Sequence, residues 1–332
     1  MSSNTLLWGA NCMSFKVLQP GLLSLLQDLG RFGQHDIGLT TGGPLDREAF
    51  LWANRILHNP PNTCSIEVSF GGLQLQAQID SYFCVTGASL EVTVNGINKA
   101  LWTSHKVKAG DEIKLDYSSH GCRSYLSVAG GFQITPSFGS QATVVREKIG
   151  GLNGAKLKAQ DSLACNEIVQ LRRQALAMKD WPLYGPQGPE ENTPNRVLRL
   201  LPGYQHHHFD AATRVRFFHS QYRVTDRSDR MGMRLEGPDV SCPSQQMLSE
   251  GICLGAVQVP ADGQPIVLLN DRQTIGGYPK IGAIMARDLA QLVQLRPGDT
   301  VTFEAVDLYQ AQTINTLAQL KFEATQLLYL KD

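Results

Sequence analysis

The sequence predicts a mainly β protein with a few helices, organised as two halves. Three observations carry that expectation. Short runs rich in Val, Ile, Leu, Tyr and Phe recur along the chain, each broken by Gly, Asn, Asp or Pro. The 332 residues exceed what a single core usually serves. One phrase also returns: Lys108-Ala109-Gly110-Asp111-Glu112-Ile113 is echoed by Arg296-Pro297-Gly298-Asp299-Thr300-Val301, and more weakly by Lys158-Ala159-Gln160-Asp161-Ser162-Leu163. Each copy reads as a turn feeding a strand. The set suggests duplication of one β-rich unit, not a short-period array. Strands this short and closely spaced fit barrels or sandwiches.

The elements follow in order. Asp46 caps a helix over Arg47 to Leu57, with Phe50, Ala53, Asn54 and Leu57 on one face, ended by Pro60-Pro61. Ile66-Glu67-Val68 and Leu73-Gln74-Leu75-Gln76 alternate around Gly71-Gly72. Tyr82 to Thr86 is a strand that stops at Gly87. Leu90 to Val94 alternates and meets Asn95-Gly96, a hairpin signal. Ser124 to Val128 ends at Gly130-Gly131. Glu167 to Trp181 reads as a helix. Pro182, Gly185, Pro186, Gly188, Pro189 and Pro194 then make a linker, so the halves are 1–190 and 191–332. Strands resume at Arg196 to Leu201, Ile266 to Leu269 and Val301 to Phe303. A stripe from Leu308 to Leu328 has helical spacing and is expected to pack on its own domain.

Composition narrows the function classes. Lys+Arg and Asp+Glu balance at 30 each, which gives no overall electrostatic reason for nucleic acid or an anionic membrane. Seven scattered cysteines without Cys-x-x-Cys fit free thiols in a reducing compartment, not a disulfide framework or structural zinc. No signal peptide and no bilayer-length apolar stretch is visible, so the cytoplasm is expected. Met13 is a candidate start, because patterned sequence begins at Phe15.

Nucleotide loops and a Gly-x-Ser-x-Gly elbow are missing. His206-His207-His208 lacks metal-ligand spacing, and three adjacent side chains cannot all point one way. Ala177-Met178-Lys179 resembles a biotinylated tripeptide, but ends a helix-like run instead of sitting on a hairpin. The informative stretches are Gln27-Asp28-Leu29-Gly30-Arg31-Phe32-Gly33, Gly43 to Asp46, and Asp271 to Tyr278. They place acids, amides and Arg beside glycines, where the backbone turns tightly or approaches a ligand. In Ser228-Asp229-Arg230-x-Gly232-x-Arg234, two arginines could fork onto a carboxylate or phosphate. An internal Asp229–Arg pair fixing a barrel turn would use the same residues. Gln258, in an apolar strand, must find partners in a ligand or in the fold. Asp28 and Asp46 are candidate bases or ammonium holders, and Asn54 and Glu67 candidate buried structural partners. Gly130, Gly131, and Gly139 with Ser140 could offer N–H and hydroxyl groups to an anion.

The ordered set resembles a known family from about Phe15 to Phe303. The matching residues are Gln27-Asp28-x-Gly30-Arg31-x-Gly33, Gly43-x-x-Asp46, Ala53-Asn54, Glu67, Thr86-Gly87-Ala88, Gly130-Gly131 and Gly139-Ser140. They continue with Ser228-Asp229-Arg230-x-Gly232-x-Arg234-Leu235, Gln258-Val259-Pro260 and Asp271-x-Gln273-Thr274-x-Gly276-Gly277-Tyr278. The pattern is similar to the allophanate hydrolase subunit 2, or biotin-dependent carboxyltransferase-like, family, which includes the C subunit of the bacterial ATP-dependent 5-oxoprolinase. The resemblance implies two cyclophilin-like β-barrel halves. It also implies a partner, a B subunit resembling allophanate hydrolase subunit 1, with the active site at or near their interface, and a further A subunit. The complex would use ATP and Mg to open the lactam of 5-oxoproline to glutamate.

On this reading the expected catalytic residues are Asp28, Arg31, Asp46, Arg230 and Asp271. Substrate contacts fall on Arg234, Gln258, Gln273, Tyr278, Gly130, Gly131 and Ser140, with no metal ligands. Arg31, Arg230 and Arg234 would stabilise an oxyanion or phosphate. Gln160, where a Gly-Asp turn would be expected, and the His206–His208 loop depart from the family pattern. Two other readings remain: a carboxyltransferase component using carboxybiotin on urea or a related amide, and a non-catalytic regulator countering a histidine-kinase inhibitor.

Overall fold

The computed structural model describes residues 14–180, 196–243 and 247–331. Met13, Trp181 and the linker prolines lie outside the described residues. The architecture is mainly β, with α1 (Arg47–Ile56), α2 (Ala211–His219), α3 (Ala286–Leu292) and α4 (Leu308–Ala324). Among the described residues no helix is long and apolar enough to cross a membrane.

Two sheets build the first half. One runs in the order Leu23–Gln27, Ser65–Ser69, His120–Val128, Ser81–Ser89, Ser104–Val107. The other runs Ser162–Ala164, Ser14–Pro20, Leu73–Ala77, Glu112–Leu115, Val92–Val94, Ile97–Lys99. Alternation sets the faces. Leu73, Leu75 and Ala77 are buried, while Gln74 and Gln76 between them are half-exposed, as expected for a strand with one wet side. The central strands of the first sheet are buried nearly throughout, and α1 contacts two of them. The Asp46 side chain caps α1 by accepting from Ala49 N–H at 2.9 Å. The α1 face expected from the sequence is buried, Asn54 included.

Turn chemistry behaves as read. Val94 pairs with Ile97, and both Asn95 and Gly96 have positive φ, the conformation of a two-residue type I′ hairpin turn. The three echoed phrases fold alike. In each, the Asp carboxylate accepts from the N–H three residues earlier: Asp111 from Lys108 at 2.8 Å, Asp161 from Lys158 at 2.7 Å, Asp299 from Arg296 at 2.8 Å. The residue before each Asp has positive φ: Gly110, Gly298 and, as the exception, Gln160 at 76°. Gln160 therefore adopts the same turn as the two glycines, at a steric cost glycine avoids.

The second half closes a seven-stranded barrel in the order Arg196–Pro202, Lys280–Ile284, Ala256–Gln258, Ile266–Leu268, Gly232–Glu236, Tyr222–Val224, Thr300–Ala305. Its interior holds Leu198, Val257, Val267, Leu235 and Val301, and Phe217 of α2 stacks on Phe303 at 4.5 Å.

Three expectations need correction. The strand around Phe83 does not stop at Gly87 but runs to Ser89. Gly87 sits at an irregularity in the pairing, where a Cβ would lie 2.3 Å from the Arg123 carbonyl oxygen. No helix forms over 167–180. Gln174–Ala175 is instead a short strand, and Met178–Asp180 a single 3-10 turn. The Ser104 hydroxyl accepts from Gln174 N–H, and Gln174–Ala175 pairs with Leu328–Tyr329, so an edge partner captures the segment in extended form. Finally, α4 does not keep to its own half. Ala311 packs with Met285 and Val306, but Phe322 lies against Trp52 at 4.5 Å, and Arg55 donates to the carbonyls of Phe322, Glu323 and Thr325. The tail straps the first half to the second.

Candidate functional site

The charged residues expected at the site divide into two places. One is the junction of the halves. Arg230 leaves the turn after Ser228 and is buried. Its Nε and Nη2 donate to the two oxygens of Asp271 at 2.9 and 3.0 Å, a bidentate pair. Nη2 also reaches the Gly43 carbonyl at 2.7 Å, and Nη1 pairs with Glu67 of the first half. Glu67 is held in turn: Tyr125 donates its hydroxyl at 2.7 Å and Leu45 its N–H at 2.8 Å. Asp46 N–H donates to that same hydroxyl, and the Asp46 carboxylate accepts from Gln294 Nε2 at 2.7 Å. Burial and the neighbouring Glu67 and Asp46 carboxylates raise the Tyr125 hydroxyl well above its ordinary pKa.

Arg230, Asp271 and Asp46, expected as catalytic, are thus occupied in joining the halves. Asp28 is occupied too, as are Nε and Nη2 of Arg31, whose buried Nη1 has no partner among the described residues. Asp28 accepts from the Ser140 hydroxyl at 2.5 Å and from the N–H groups of Gln141 and Gly30. Arg31 donates to the carbonyls of Ser137 and Ala142 at 3.0 and 3.1 Å. Together they pin the loop around 137–142. Ser140 is therefore an anchor, and Gly130 N–H is taken by Asn59 and Gly131 N–H by the Val128 carbonyl. None of these eight residues lines the cavity described next.

That cavity, of about 590 Å³, lies on the outer wall of the barrel. Inward residues of the wall strands, Met233, Val257 and Val267, fill the barrel core. The alternate residues therefore face outward. Arg234 pairs with Ile266, and Ile266 with Gln258, so these three form one row across adjacent strands. A two-stranded flap, Glu250–Gly251 paired with Ile275–Gly276, leads into Ile252, Gly277 and Tyr278 at the rim. The flap is fastened to the barrel. Glu250 forms an ion pair with Lys280 and accepts from Gln205 Nε2 at 2.6 Å, while Gln205 Oε1 accepts from Lys280 N–H at 2.8 Å. The lysine and tyrosine partners at Glu250 hold its carboxyl below its ordinary pKa. Gly276 is needed for the close approach: a Cβ there would sit 2.6 Å from Ile252 Cδ1 and 3.1 Å from Gln258 Nε2.

The cavity is cationic. Arg227, Arg234 and Arg272 line it, and none has a carboxylate partner among the described residues. Its one carboxylate among the described residues, Asp229, accepts from Met231 and Gly232 N–H groups at 2.8 and 3.2 Å. Arg272 is buried, and its pKa is lowered by that burial. Gln258 Nε2 is a buried donor without a protein partner. Gln273 and Tyr278, both exposed, complete the mouth. Of the expected substrate contacts, then, Arg234, Gln258, Gln273 and Tyr278 converge. Sequence reasoning missed Arg227 and Arg272, although both sit in or beside stretches it singled out. Among the described residues no three His, Cys, Asp or Glu side chains group to hold a metal, and His206–His208 forms one 3-10 turn.

Comparison with known proteins agrees with this architecture. Residues 37–305 match the family described as carboxyltransferase domain, subdomain A and B. The chain is 36% identical to the C subunit of 5-oxoprolinase from Escherichia coli (strain K12) over 311 residues, 93% of this chain and 96% of that one. It is equally 36% identical to the Haemophilus influenzae protein of the same name, over 86% of this chain and 89% of that one. Among solved structures, the K. lactis urea amidolyase superposes with a TM-score of 0.88 at 26% identity, covering 97% of this chain. This chain spans only 20% of that much longer protein.

Proposed function

Since the chain belongs to the carboxyltransferase-domain family, subdomains A and B, we propose that it serves as the C subunit of an ATP-dependent 5-oxoprolinase that hydrolyses 5-oxo-L-proline to L-glutamate. The observation that carries the reading is end-to-end similarity: 36% identity over 96% of a protein named as that subunit leaves no large domain of the relative unmatched. The barrel-wall cavity is the proposed substrate site. A five-membered lactam resists hydrolysis, so its amide must be activated, most simply by phosphorylation of the amide oxygen. Arg234 at the rim stabilises the negative charge of the phosphoryl group transferred from ATP to that oxygen, and Gln258 Nε2 donates to the ring carbonyl before activation. Tyr278 and Gln273 form the wall that orients the ring.

The chain supplies binding groups more readily than a base, since the one carboxylate lining the cavity is engaged by backbone N–H groups. The B subunit is therefore proposed to complete the site from its open side. The unpaired guanidiniums suit a phosphoryl group, but the described residues offer no cluster for Mg and the sequence has no phosphate loop. ATP and Mg are accordingly assigned to the assembled complex.

Likeness to urea amidolyase favours a second reading, a carboxyltransferase component acting on urea or a related amide with carboxybiotin. Urea is neutral, so in that reading the N-carboxyl group of carboxybiotin is the anion that would compensate Arg272. Reconstitution decides between the two. The chain mixed with its co-encoded A- and B-like partners, ATP-Mg and 5-oxoproline should yield glutamate and ADP, both lost when the chain is omitted. An intact complex that makes no glutamate removes the oxoprolinase reading.

A further inference from the structure

We propose that Arg272 is the carboxylate receptor of this cavity, and that the site selects small cyclic amides bearing a carboxylate over neutral ones. The identity of the ligand rests on the oxoprolinase reading; the anion selectivity does not.

Three other Arg and Lys side chains are buried among the described residues. Arg230 has Asp271 and Glu67, and Lys280 is paired with Glu250. Arg31 has no direct ion pair but sits in the field of Asp28, Glu147 and Asp271. Arg272 differs from all three: among the described residues it has no ion pair, and the ionisable side chain that bears on it is the Cys253 thiol. A guanidinium taken out of water without an anion is costly. Such a cost is tolerated where a ligand brings the missing charge.

The guanidinium is also oriented. Its Nε donates to the Ile252 carbonyl at 3.1 Å and its Nη1 to the Leu269 carbonyl at 3.4 Å. One anchor belongs to the flap side and the other follows a barrel strand, so both walls hold its plane. Nη2 takes no hydrogen bond among the described residues. A planar donor held in this way matches a carboxylate, whose oxygens accept from such a fork. Arg227 and Arg234 are exposed at the rim, where they raise the local concentration of an approaching anion. The second unused donor, Gln258 Nε2, is neutral and buried, and suits an uncharged carbonyl. One charged and one neutral donor call for a ligand with a carboxylate and an amide carbonyl on one small frame. 5-Oxoproline has both on a single ring.

Calorimetric titration of the full chain with L-5-oxoproline and with its neutral amide, L-5-oxoprolinamide, tests this. Glutarate, an anion without a lactam, is titrated alongside. We expect 5-oxoproline to bind at least tenfold more tightly than the amide, with the difference shrinking at high salt. Arg272→Met should abolish the preference while the amide binds as before, and Arg272→Lys should restore part of it. Equal affinity of the wild-type chain for acid and amide overturns the receptor role and leaves the oxoprolinase reading standing. Binding of glutarate but of neither lactam supports the receptor and removes 5-oxoproline as its ligand. No binding of any of the three overturns the receptor. The acid-versus-amide comparison uses the unaltered protein, so it holds even if the Met variant does not fold.

Discussion

Arg230 and Arg272 invite comparison. Both are buried, both belong to the second half, and each lies beside Asp271, the first by contact and the second by sequence. At the junction, Arg230 meets two carboxylates and a carbonyl, and four of its five N–H donors are used. At the cavity, Arg272 meets two carbonyls and, among the described residues, no carboxylate. Pairing with protein anions turns a guanidinium into a structural cross-link, whereas orientation without an anion leaves it a receptor. Burial alone therefore does not mark a functional arginine. The identity of its partners does.

Four measurements probe this contrast. The largest effect is expected for Arg230→Met, which leaves Glu67 and Asp271 buried without their cation. Chemical denaturation should show a loss of about 3–5 kcal/mol, the usual consequence of removing one member of a buried pair. A loss under about 1 kcal/mol would mean that the junction does not depend on this residue.

Tyr125→Phe is expected to come next. It removes the hydroxyl that donates to Glu67 and accepts from Asp46 N–H. Two buried polar groups lose a partner, which costs about 1–3 kcal/mol by the same measurement. Arg230→Met made in the Tyr125→Phe background should cost less than the sum of the two, because both act on Glu67.

Arg272→Met should change stability by no more than about 1 kcal/mol in the absence of ligand, since no protein carboxylate is stranded. If its thermal midpoint falls as far as that of Arg230→Met, the distinction between cross-link and receptor fails.

The smallest effect concerns pH at the flap. The carboxyl of Glu250 is held below its ordinary value, first by its hydrogen bond to Lys280. A depressed carboxyl contributes stability above its unfolded pKa, about 4.3 for Glu. That contribution is lost as pH falls through the lower folded value. Amide hydrogen exchange at Gly251 and Ile275 should therefore quicken as pH drops below that range, relative to their behaviour in Glu250→Gln. Identical profiles in the two proteins would show that the ion pair does not fasten the flap.

Parts of this molecule were legible locally. The α1 cap at Asp46, the Asn95-Gly96 hairpin and the three Asp-closed turns follow from groups within four residues of one another. The expected helix over 167–181 failed for a non-local reason. Residues Gln174–Ala175 find an edge partner in Leu328–Tyr329, at the other end of the chain. The candidate site divides in the same way. Arg234, Gln258, Gln273 and Tyr278 were singled out by glycines and by an amide in an apolar strand, and they converge. Asp28, Arg31, Asp46, Arg230 and Asp271 carried the same kind of signal, yet each serves an internal contact. Arg272 stood inside a recognised stretch and still gave no signal, since nothing adjacent to it says which anions are near.

Strand alternation, turns and the order of family motifs are therefore written in the chain, because backbone sterics and side-chain polarity act within a few residues. Which arginine is engaged and which is free emerges only on folding. Glu67 reaches Arg230 across 163 positions, and Asp271, the sequence neighbour of Arg272, is turned to Arg230 instead. Charge compensation is a through-space sum, and it takes its value only when the two halves have closed on each other.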